Sequence, residues 1–324
     1  MNFKRVLIKL FGYPYSMVRF FAKVEGATKF RKDLLCRRRA FESAHEYQKV
    51  KLTWFLKKKY KKYIIAVKEQ LDNTYDKLPH KCGDTVWVCW LQGLDNAPEI
   101  IKLCCNSIVE KLGDVRKVCF LDKSNYKNYI ALPDFVEKKY SDGIISDAQF
   151  TDLLRLALLT EYGGTWIDAT IMCTDKLPDY MLDSELFLPC TSMWETYQLA
   201  FRVESYFITA YSNNKILSMA LKLAYKYWSD YNFIAEYLLI YSFIEIAIEL
   251  YGDEWEKVHP FPRADINLLQ EWFERKYDKQ ICDEIIARSP IHKLTYKVSE
   301  ECIKDGDNFY NHIIRSRTGS KVNG

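Results

Sequence analysis

The chain has 324 residues, of which 48% are hydrophobic, and this allows one large α/β domain with an appendage or two modest domains. Its ten cysteines form no C-x-x-C pair and its five histidines do not cluster near them, which argues against a zinc or iron–sulfur centre and against a dense disulfide framework. The formal net charge of +4 is unevenly distributed: residues 1–80 carry a net +13 and the remainder carries −9.

Residues 1–80 combine helical patterns with dense positive charge. Apolar residues such as Leu7, Leu10 and Phe11 alternate with basic ones, and Pro14 interrupts any single helix. The pattern is typical of a segment on an anionic membrane surface, but it also fits a helical hairpin that packs on the rest of the chain. A nucleic-acid interface is disfavoured because no binding motif accompanies the charge. We predict a basic helical N-terminal extension, peripheral to a membrane and without a nucleic-acid partner.

No stretch approaches 18 uninterrupted apolar residues, so no transmembrane helix is predicted. The nearest candidate, residues 233–251, contains three glutamates and is expected to be an amphipathic helix. The N-terminal residues lack the apolar core and cleavage site of a signal peptide. Scattered cysteines in such a chain are expected to be reduced thiols, which favours a cytoplasmic location. Together with the basic extension, this predicts a position on the inner face of the cell membrane.

A parallel βαβ unit is predicted after residue 84. Residues 85–90 form a short β-type run, residues 97–112 have the apolar spacing of an amphipathic helix, and residues 115–121 form a second strand. A strand, helix and strand at this spacing require a parallel pair of strands.

The next helix is strongly marked. Ser146 and Gln149 have the spacing of a capping box at its start, and Gly163-Gly164 provides the left-handed position that ends it. Its apolar face recurs at Phe150, Leu153, Leu154, Ala157 and Leu158. Residues 165–167 are predicted to be extended, so that Asp168 lies at the carboxyl end of a strand.

Further elements follow with weaker signals. Strands are predicted at residues 186–188 and 206–208, and helices at residues 215–228 and 232–250. The last residues, 316–324, are expected to be a disordered tail.

The candidate chemistry begins with carboxylates near the end of that strand. In open α/β sheets, ligands bind at the carboxyl ends of strands, where Asp168 could hold a divalent cation. An Asp in this position is also a common turn former. Asp152 and Arg155 lie three residues apart on the polar side of the preceding helix, as a surface ion pair or as residues that face the same cleft.

These segments resemble the capsular polysaccharide synthesis proteins and related "DXD" glycosyltransferases. The resemblance is carried by residues 151–159, by the Y-G-G-T-W-I-D-A-T string of residues 162–170, by the V-W-V-C-W-L-Q-G run of residues 86–93, and by the H-K-L-T-Y-K run of residues 292–297. It implies a GT-A type fold, an α/β Rossmann-like mixed sheet flanked by helices, over residues 81–315.

The resemblance also implies site residues. Asp152 and Asp168 would be the catalytic carboxylates, and Arg155 would support Asp152. The predicted substrate-binding residues are Trp90, Gln92, Gly93, Arg155, Gly163, Gly164 and Thr170. Asp168 and His292 would hold Mn²⁺ or Mg²⁺, although a structural role for His292 is equally compatible with its position.

Thr170 stands where a full DXD motif has its second Asp, which weakens the expected grip on a metal ion. The resemblance implies a retaining hexosyltransferase that moves a sugar from a nucleoside diphosphate sugar, UDP-linked, to a capsular or lipid-linked glycan. The alternative is a catalytically silent subunit that binds sugars or nucleotides.

Overall fold

A computed structural model describes residues 34–191 and 200–318, with side chains described from residue 45 to residue 315 within those ranges. The α-helices in this part of the chain are α1 (Leu34–Lys59), α2 (Lys61–Tyr75), α3 (Glu99–Leu112), α4 (Asp134–Ser141), α5 (Asp147–Tyr162), α6 (Asp179–Leu182), α7 (Lys215–Asp230), α8 (Leu239–Leu250), α9 (Gly252–Trp255), α10 (Arg263–Glu271), α11 (Lys279–Ile286), α12 (Glu300–Lys304) and α13 (Phe309–Thr318). The strands are β1 (Thr85–Cys89), β2 (Lys117–Leu121), β3 (Gly164–Ile167), β4 (Ile171–Cys173), β5 (Leu186–Phe187), β6 (Phe207–Ala210) and β7 (Ile291–Lys293).

The central sheet has five strands in the order β2–β1–β3–β6–β5. Strand β1 runs parallel to β2 and β3, whereas β6 is antiparallel to β3 and β5. The predicted βαβ unit is therefore present as β1, α3 and β2, and the predicted α/β class with a mixed sheet flanked by helices is confirmed. A separate two-stranded sheet joins β4 and β7 in antiparallel register, with Ile171 opposite Lys293.

The central sheet has apolar side chains on both faces. Val86 and Val88 of β1 pack with the helix α3 side of the molecule, whereas Trp87 and Cys89 pack with α5, α7 and α8. Successive side chains of a strand point to opposite faces, so a strand covered on both sides is apolar throughout. This explains why β1 reads as a continuous apolar run rather than an alternating one.

Helices α1 and α2 form the described part of the predicted basic extension. Leu56 and Tyr60 are 1% and 3% exposed, and they belong to the same core as α7 and α8. The Thr53 hydroxyl donates a hydrogen bond of 2.8 Å to the Ser242 hydroxyl of α8. Residues 45–75 thus pack on the α/β fold, while the apolar residues predicted at the start of the chain lie outside the described residues.

Helix α8 begins later than predicted, at Leu239 instead of residue 232. The preceding segment is held by the Tyr227 hydroxyl, which donates to the Phe233 carbonyl (2.9 Å) and accepts from the Ala235 N–H (3.1 Å). Because these backbone groups bond to a side chain, they do not extend the helix. None of the helices between residues 34 and 318 that the structure describes has the length and apolarity needed to cross a membrane.

Two smaller predictions also change. Ser146 precedes α5 as expected, but its hydroxyl bonds to the Gln149 side chain and not to the backbone, so the capping box is incomplete. Residues 316–318, predicted to begin a disordered tail, form the end of α13, and residues 319–324 lie outside the described residues.

Candidate active site

A cavity of about 640 Å³ opens at the carboxyl edge of the central sheet. The parallel strands β1 and β3 end there, and they bring Trp90 and Asp168 to the cavity wall. Strand β6 runs the opposite way, so the residues just before it, Ser205 and Tyr206, reach the same place. The topology therefore assembles the cavity from segments far apart in sequence, at the edge where α/β sheets bind ligands.

Helix α5 contributes one polar stripe to the cavity. Asp152 and Arg155 line it, while Leu153 and Leu154 of the same helix lie in the core. The Arg155 guanidinium donates to Asp152 Oδ1 (2.7 Å), to Asp168 Oδ1 (2.8 Å) and to Ser205 Oγ (2.7 Å). Its side chain is only 6% exposed, and it lies over the Trp166 ring at 5.0 Å. Arg155 therefore joins the two predicted catalytic carboxylates.

Asp168 is the most heavily bonded residue of the site. Besides Arg155, the Trp166 indole N–H donates to Asp168 Oδ1 at 2.9 Å, and the Lys293 ammonium donates to Oδ2 at 2.9 Å. The Asp168 backbone N–H donates to the Tyr206 carbonyl at 2.8 Å, which fixes the residue to the start of β6. The Lys293 ammonium also donates to the Thr170 hydroxyl. We call Asp152, Arg155, Asp168 and Lys293 the floor of the cavity.

The two carboxylates of the floor differ in their electrostatics. Desolvation raises the pKa of Asp152 to about 6, since the attraction of Arg155 offsets only part of it and the charge of Asp168 adds to it. Desolvation also acts on Asp168, but Lys293 and Arg155 together hold the pKa of that carboxyl below its ordinary value. Asp168 is thus an anion throughout the neutral range, whereas Asp152 ionises only as the pH rises through about 6.

Aromatic and basic side chains surround the opening of the cavity. The Trp90 and Tyr296 rings meet edge to face with centroids 5.4 Å apart, and Tyr237 is 64% exposed. Lys297 is exposed and lies 5.8 Å from the Tyr296 ring. We call Trp90, Tyr237, Tyr296 and Lys297 the rim. Flat faces beside a cation suit a ligand that has both a ring and a charged group.

Two of the remaining predicted residues also reach the cavity. Gln92 lines it and donates to Asp147 Oδ2 at 2.7 Å, and Thr170 lines it beside Lys293. Gly93 lies just beyond Gln92 with φ +79°, in a turn outside the lining. Because glycine adopts positive φ without strain, Gly93 allows the turn that follows Gln92.

The paired glycines after α5 are far from the cavity. Gly164 begins β3 and Asp168 follows its end, so roughly 13 Å of strand separates them at about 3.3 Å per residue. Both glycines have positive φ, and a Cβ on Gly164 would lie 2.3 Å from the Thr85 carbonyl oxygen. Gly163 and Gly164 are thus required for a close backbone approach, and the structure does not bring these two predicted substrate-binding residues to the cavity.

His292 is also directed away from the site. It is fully buried opposite Met172 in the β4–β7 pair and does not line the cavity. Lys293, the next residue, lines it instead, as strand alternation requires. The segment of residues 292–297 that carries the resemblance includes this lysine. Because side chains alternate between the two faces of a strand, the sequence alone could have shown that His292 and Lys293 point in opposite directions.

The side chains at the floor do not fit the predicted Mn²⁺ or Mg²⁺. Asp168 already accepts hydrogen bonds from two cationic side chains, and His292 is not beside it. Among the side chains that the structure describes, in residues 45–191 and 200–315, no three His, Cys, Asp or Glu are grouped so that they could hold a metal ion. Hard divalent cations require several oxygen ligands, and carboxylates are the strongest of them.

Comparisons with known proteins agree with the resemblance noted in the sequence. The family model described as capsular polysaccharide synthesis protein matches residues 33–313. A curated relative, "O-glycosyltransferase braB" of Annulohypoxylon truncatum, is 31% identical over 99 residues, which is 28% of this chain and 24% of that protein. The chain thus matches about a quarter of the length of this relative.

Among solved structures, the "PaToxG Glycosyltransferase" aligns with 83% of this chain and 97% of its own, at 14% identity and a TM-score of 0.38. A likeness this distant has no bearing on the chemistry of the cavity.

Proposed function

Because the chain belongs to the capsular polysaccharide synthesis protein family, we propose that it is a hexosyltransferase that uses a nucleoside diphosphate sugar. We propose a UDP-linked donor and, as acceptor, a capsular or other surface glycan, free or lipid-linked. The observation that supports this function best is the charged floor beneath an aromatic rim, in a cavity at the carboxyl edge of the sheet. A nucleotide sugar presents a flat base, a dianionic diphosphate and a sugar, in that order.

Each part of the cavity then has a role. Trp90 and Tyr296 stack on or beside the base, and Lys297 faces the phosphates at the entrance. Asp152 binds ribose or sugar hydroxyls, and Arg155 holds it in place. Asp168 orients Lys293 and Arg155 so that positive charge is fixed where the leaving group develops negative charge. Such preorganised charge is the largest contribution to catalysis in many enzymes.

We further propose that transfer retains the anomeric configuration. The bond between the anomeric carbon and the phosphate oxygen breaks, and its electron pair stays on that oxygen. The leaving phosphate then takes the proton of the attacking acceptor hydroxyl on the same face, so no side-chain base is assigned. Proton NMR of the glycoside product tests this, because its new anomeric centre does not mutarotate and can be compared with that of the donor: a product of inverted configuration would contradict the proposal.

A panel of nucleoside diphosphate sugars tests the function itself. Since a ligand that binds only the native state stabilises it by about 2.7 kcal/mol at 100 times its Kd, a matching donor raises the melting temperature measurably. The same donor should release nucleoside diphosphate when an acceptor glycan is added. This release should nearly disappear in Asp168→Asn and persist in Asp114→Asn, at an exposed carboxylate before β2 that serves as the matched control.

Two outcomes would count against this proposal in different ways. If no nucleotide sugar stabilises the protein, or if Asp168→Asn responds like the wild type, the cavity is not the donor site. If a donor binds at this site but no product forms with any glycan, the chain is the silent binding subunit and not the transferase.

We also propose that the protein works at the cytoplasmic face of a membrane. Helix α1 packs its inner side on the fold, and its outer side exposes large apolar side chains, at Tyr47, Val50, Trp54 and Phe55. Trp54 is 69% exposed, with the Lys58 ammonium 5.8 Å from its ring, and Lys51 is on the same side. Exposed Trp beside Lys is the arrangement of helices that lie in an anionic lipid interface.

Point variants test this location better than deletion of residues 1–80, because Leu56 and Tyr60 belong to the core. The full chain should co-sediment with vesicles that contain anionic lipid and be partly released by salt. Trp54→Ser with Phe55→Ser should weaken binding, whereas Val115→Ser, at a 62% exposed site before β2, should not. Equal binding by all three proteins would contradict the role of α1.

A further inference from the structure

The Lys293 ammonium lies where the DXD resemblance expects a divalent cation. The antiparallel pairing of β7 with β4 sets Lys293 opposite Ile171, next to the turn from Asp168 to Ile171. The ammonium donates to Asp168 Oδ2 at 2.9 Å and to the Thr170 hydroxyl. It therefore bridges the first and third residues of the D-A-T string, which are the two positions whose side chains would hold the metal in a full DXD motif.

The oxygen atoms at these two positions are already engaged. Asp168 Oδ1 accepts from Arg155 and from the Trp166 indole, Oδ2 accepts from Lys293, and the Thr170 hydroxyl accepts from Lys293. Oδ1 already accepts two hydrogen bonds, so a metal ion could bind only Oδ2, beside the Lys293 ammonium, whose positive charge would repel it. Its protein ligands would be one carboxylate oxygen and a neutral hydroxyl, which is a poor ligand set for Mn²⁺ or Mg²⁺.

The charge of the floor is equivalent to that of a metal site. Asp152 and Asp168 are balanced by Arg155 and Lys293, so the formal charge is zero when both carboxylates are ionised. A divalent cation between two carboxylates has the same formal charge. Thr170 fits this arrangement, because an Asp there would add a negative charge that the floor has no further cation to balance.

One N–H group of the Lys293 ammonium is available to donate to a ligand. An ammonium has three N–H groups, and Asp168 and Thr170 accept two of them. The side chain is 22% exposed and lines the cavity, so the remaining N–H can reach a ligand in it.

We propose that Lys293 replaces the divalent cation and that sugar transfer by this protein needs no metal, an inference that rests on the proposed glycosyltransferase function. The Lys293 ammonium donates a hydrogen bond to an oxygen of the donor's diphosphate and stabilises its charge as the glycosidic bond breaks. The electron pair leaves with the phosphate oxygen, the acceptor oxygen bonds to the anomeric carbon, and the acceptor proton goes to the phosphate. Lys293 transfers no proton in this step.

The first experiment measures the purified wild-type chain in metal-free buffer with EDTA and again with added Mn²⁺ or Mg²⁺. Turnover of the matching donor should change less than about twofold between these conditions, whereas loss of a cation that stabilises the leaving group costs on the order of 100-fold or more. Calorimetric binding of UDP should likewise be independent of metal. A large loss in EDTA that Mn²⁺ restores would overturn the proposal.

The calorimetry also separates this proposal from the proposed function. UDP binding that requires Mn²⁺ would refute the metal-free mechanism and leave the transferase assignment standing. Failure to bind any nucleoside diphosphate, with or without metal, would refute both.

Variants of Lys293 provide the sharper test. Lys293→Met keeps the apolar stem and removes the charge, and it should lower kcat by about 100-fold with no recovery in Mn²⁺. The double variant Lys293→Ala with Thr170→Asp removes the ammonium and adds the second Asp of a full DXD motif beside Asp168. It should bind one Mn²⁺, seen by electron paramagnetic resonance, and regain activity only in the presence of that ion.

Lys297→Met is the matched control, since Lys297 lies on the rim of the same cavity. It should weaken donor binding without creating any response to Mn²⁺, because it does not contact Asp168 or Thr170. Far-ultraviolet circular dichroism confirms that each variant is folded. Stoichiometric Mn²⁺ binding by the wild type that Asp168→Asn abolishes, or full activity of folded Lys293→Met, would overturn the proposal.

Discussion

The floor and the rim of the cavity are built in opposite ways. The floor is enclosed: the Arg155 side chain is 6% exposed and the Lys293 side chain is 22% exposed. Each of its four charged side chains also forms an ion pair with another member of the floor. The rim is open, with Tyr237 and Tyr296 at 64% and 40% exposure. A site that must stabilise a developing charge needs fixed partners in a low-dielectric place, whereas a site that accepts a flat ring needs only accessible faces. We therefore expect floor variants to affect kcat and stability, and rim variants to affect KM.

The largest effect should come from Asp168→Asn. The substitution keeps the shape of the side chain but removes the charge that holds Arg155 and Lys293, so both cations lose their orientation toward the leaving group. We expect kcat to fall by about 1000-fold, because preorganised charge of this kind contributes that much in well-studied enzymes. Steady-state kinetics with the matching donor measures this fall. A rise in KM with unchanged kcat would instead show that Asp168 serves donor binding, as the rim does.

Arg155→Met should have the next largest effect, on stability. It leaves Asp152 and Asp168 without their shared partner in a poorly solvated place, and removal of one member of a buried ion pair costs about 3 kcal/mol or more. Urea denaturation measures the change in the free energy of unfolding. Arg288→Met is the control: Arg288 is 58% exposed and 3.6 Å from Asp265, and such surface pairs contribute about 1 kcal/mol at most.

Trp90→Ala tests the rim. Loss of a stacking face beside a nucleotide base costs about 1–3 kcal/mol, so KM for the donor should rise about tenfold while kcat changes little. Trp90→Phe retains a face and should restore most of the affinity. A fall in kcat with unchanged KM would show that Trp90 belongs functionally to the floor.

The sequence predicted most of the floor because its signals are local. The apolar spacing of α5 places Asp152 and Arg155 on the side away from the core, and the position of Asp168 follows from the end of a strand. Lys293 could not be assigned in this way. It reaches Asp168 only because β7 pairs with β4, which lies about 120 residues earlier, and no short-range pattern encodes that pairing.

Other errors have equally specific causes. The resemblance implied His292 as a metal ligand, whereas Lys293 lines the cavity, because neighbouring residues in a strand point to opposite faces. The start of α8 was misplaced because apolar periodicity continues into residues 232–238, where the Tyr227 hydroxyl captures the backbone. The glycines after α5 were correctly read as a helix stop, and their assignment to ligand binding came only from the resemblance.

The smallest predicted effect concerns the pH dependence of stability at Asp152. Its pKa is raised by desolvation to about 6, above that of an unfolded Asp, so the protonated carboxyl group contributes stability that is present at low pH and lost as the pH rises through that value. Asn has no such dependence. From pH 5 to pH 8, Asp152→Asn should therefore gain about 1 kcal/mol in unfolding free energy relative to the wild type. Relative to the wild type, Asp168→Asn should instead gain unfolding free energy as the pH falls below the ordinary pKa of Asp, because the pKa of Asp168 is lowered and protonation of its anion destabilises the wild-type fold. Urea denaturation of wild type, both variants and the exposed control Asp114→Asn at several pH values measures these differences. If Asp152→Asn and Asp114→Asn show the same pH profile, the floor does not hold its two carboxylates in different states.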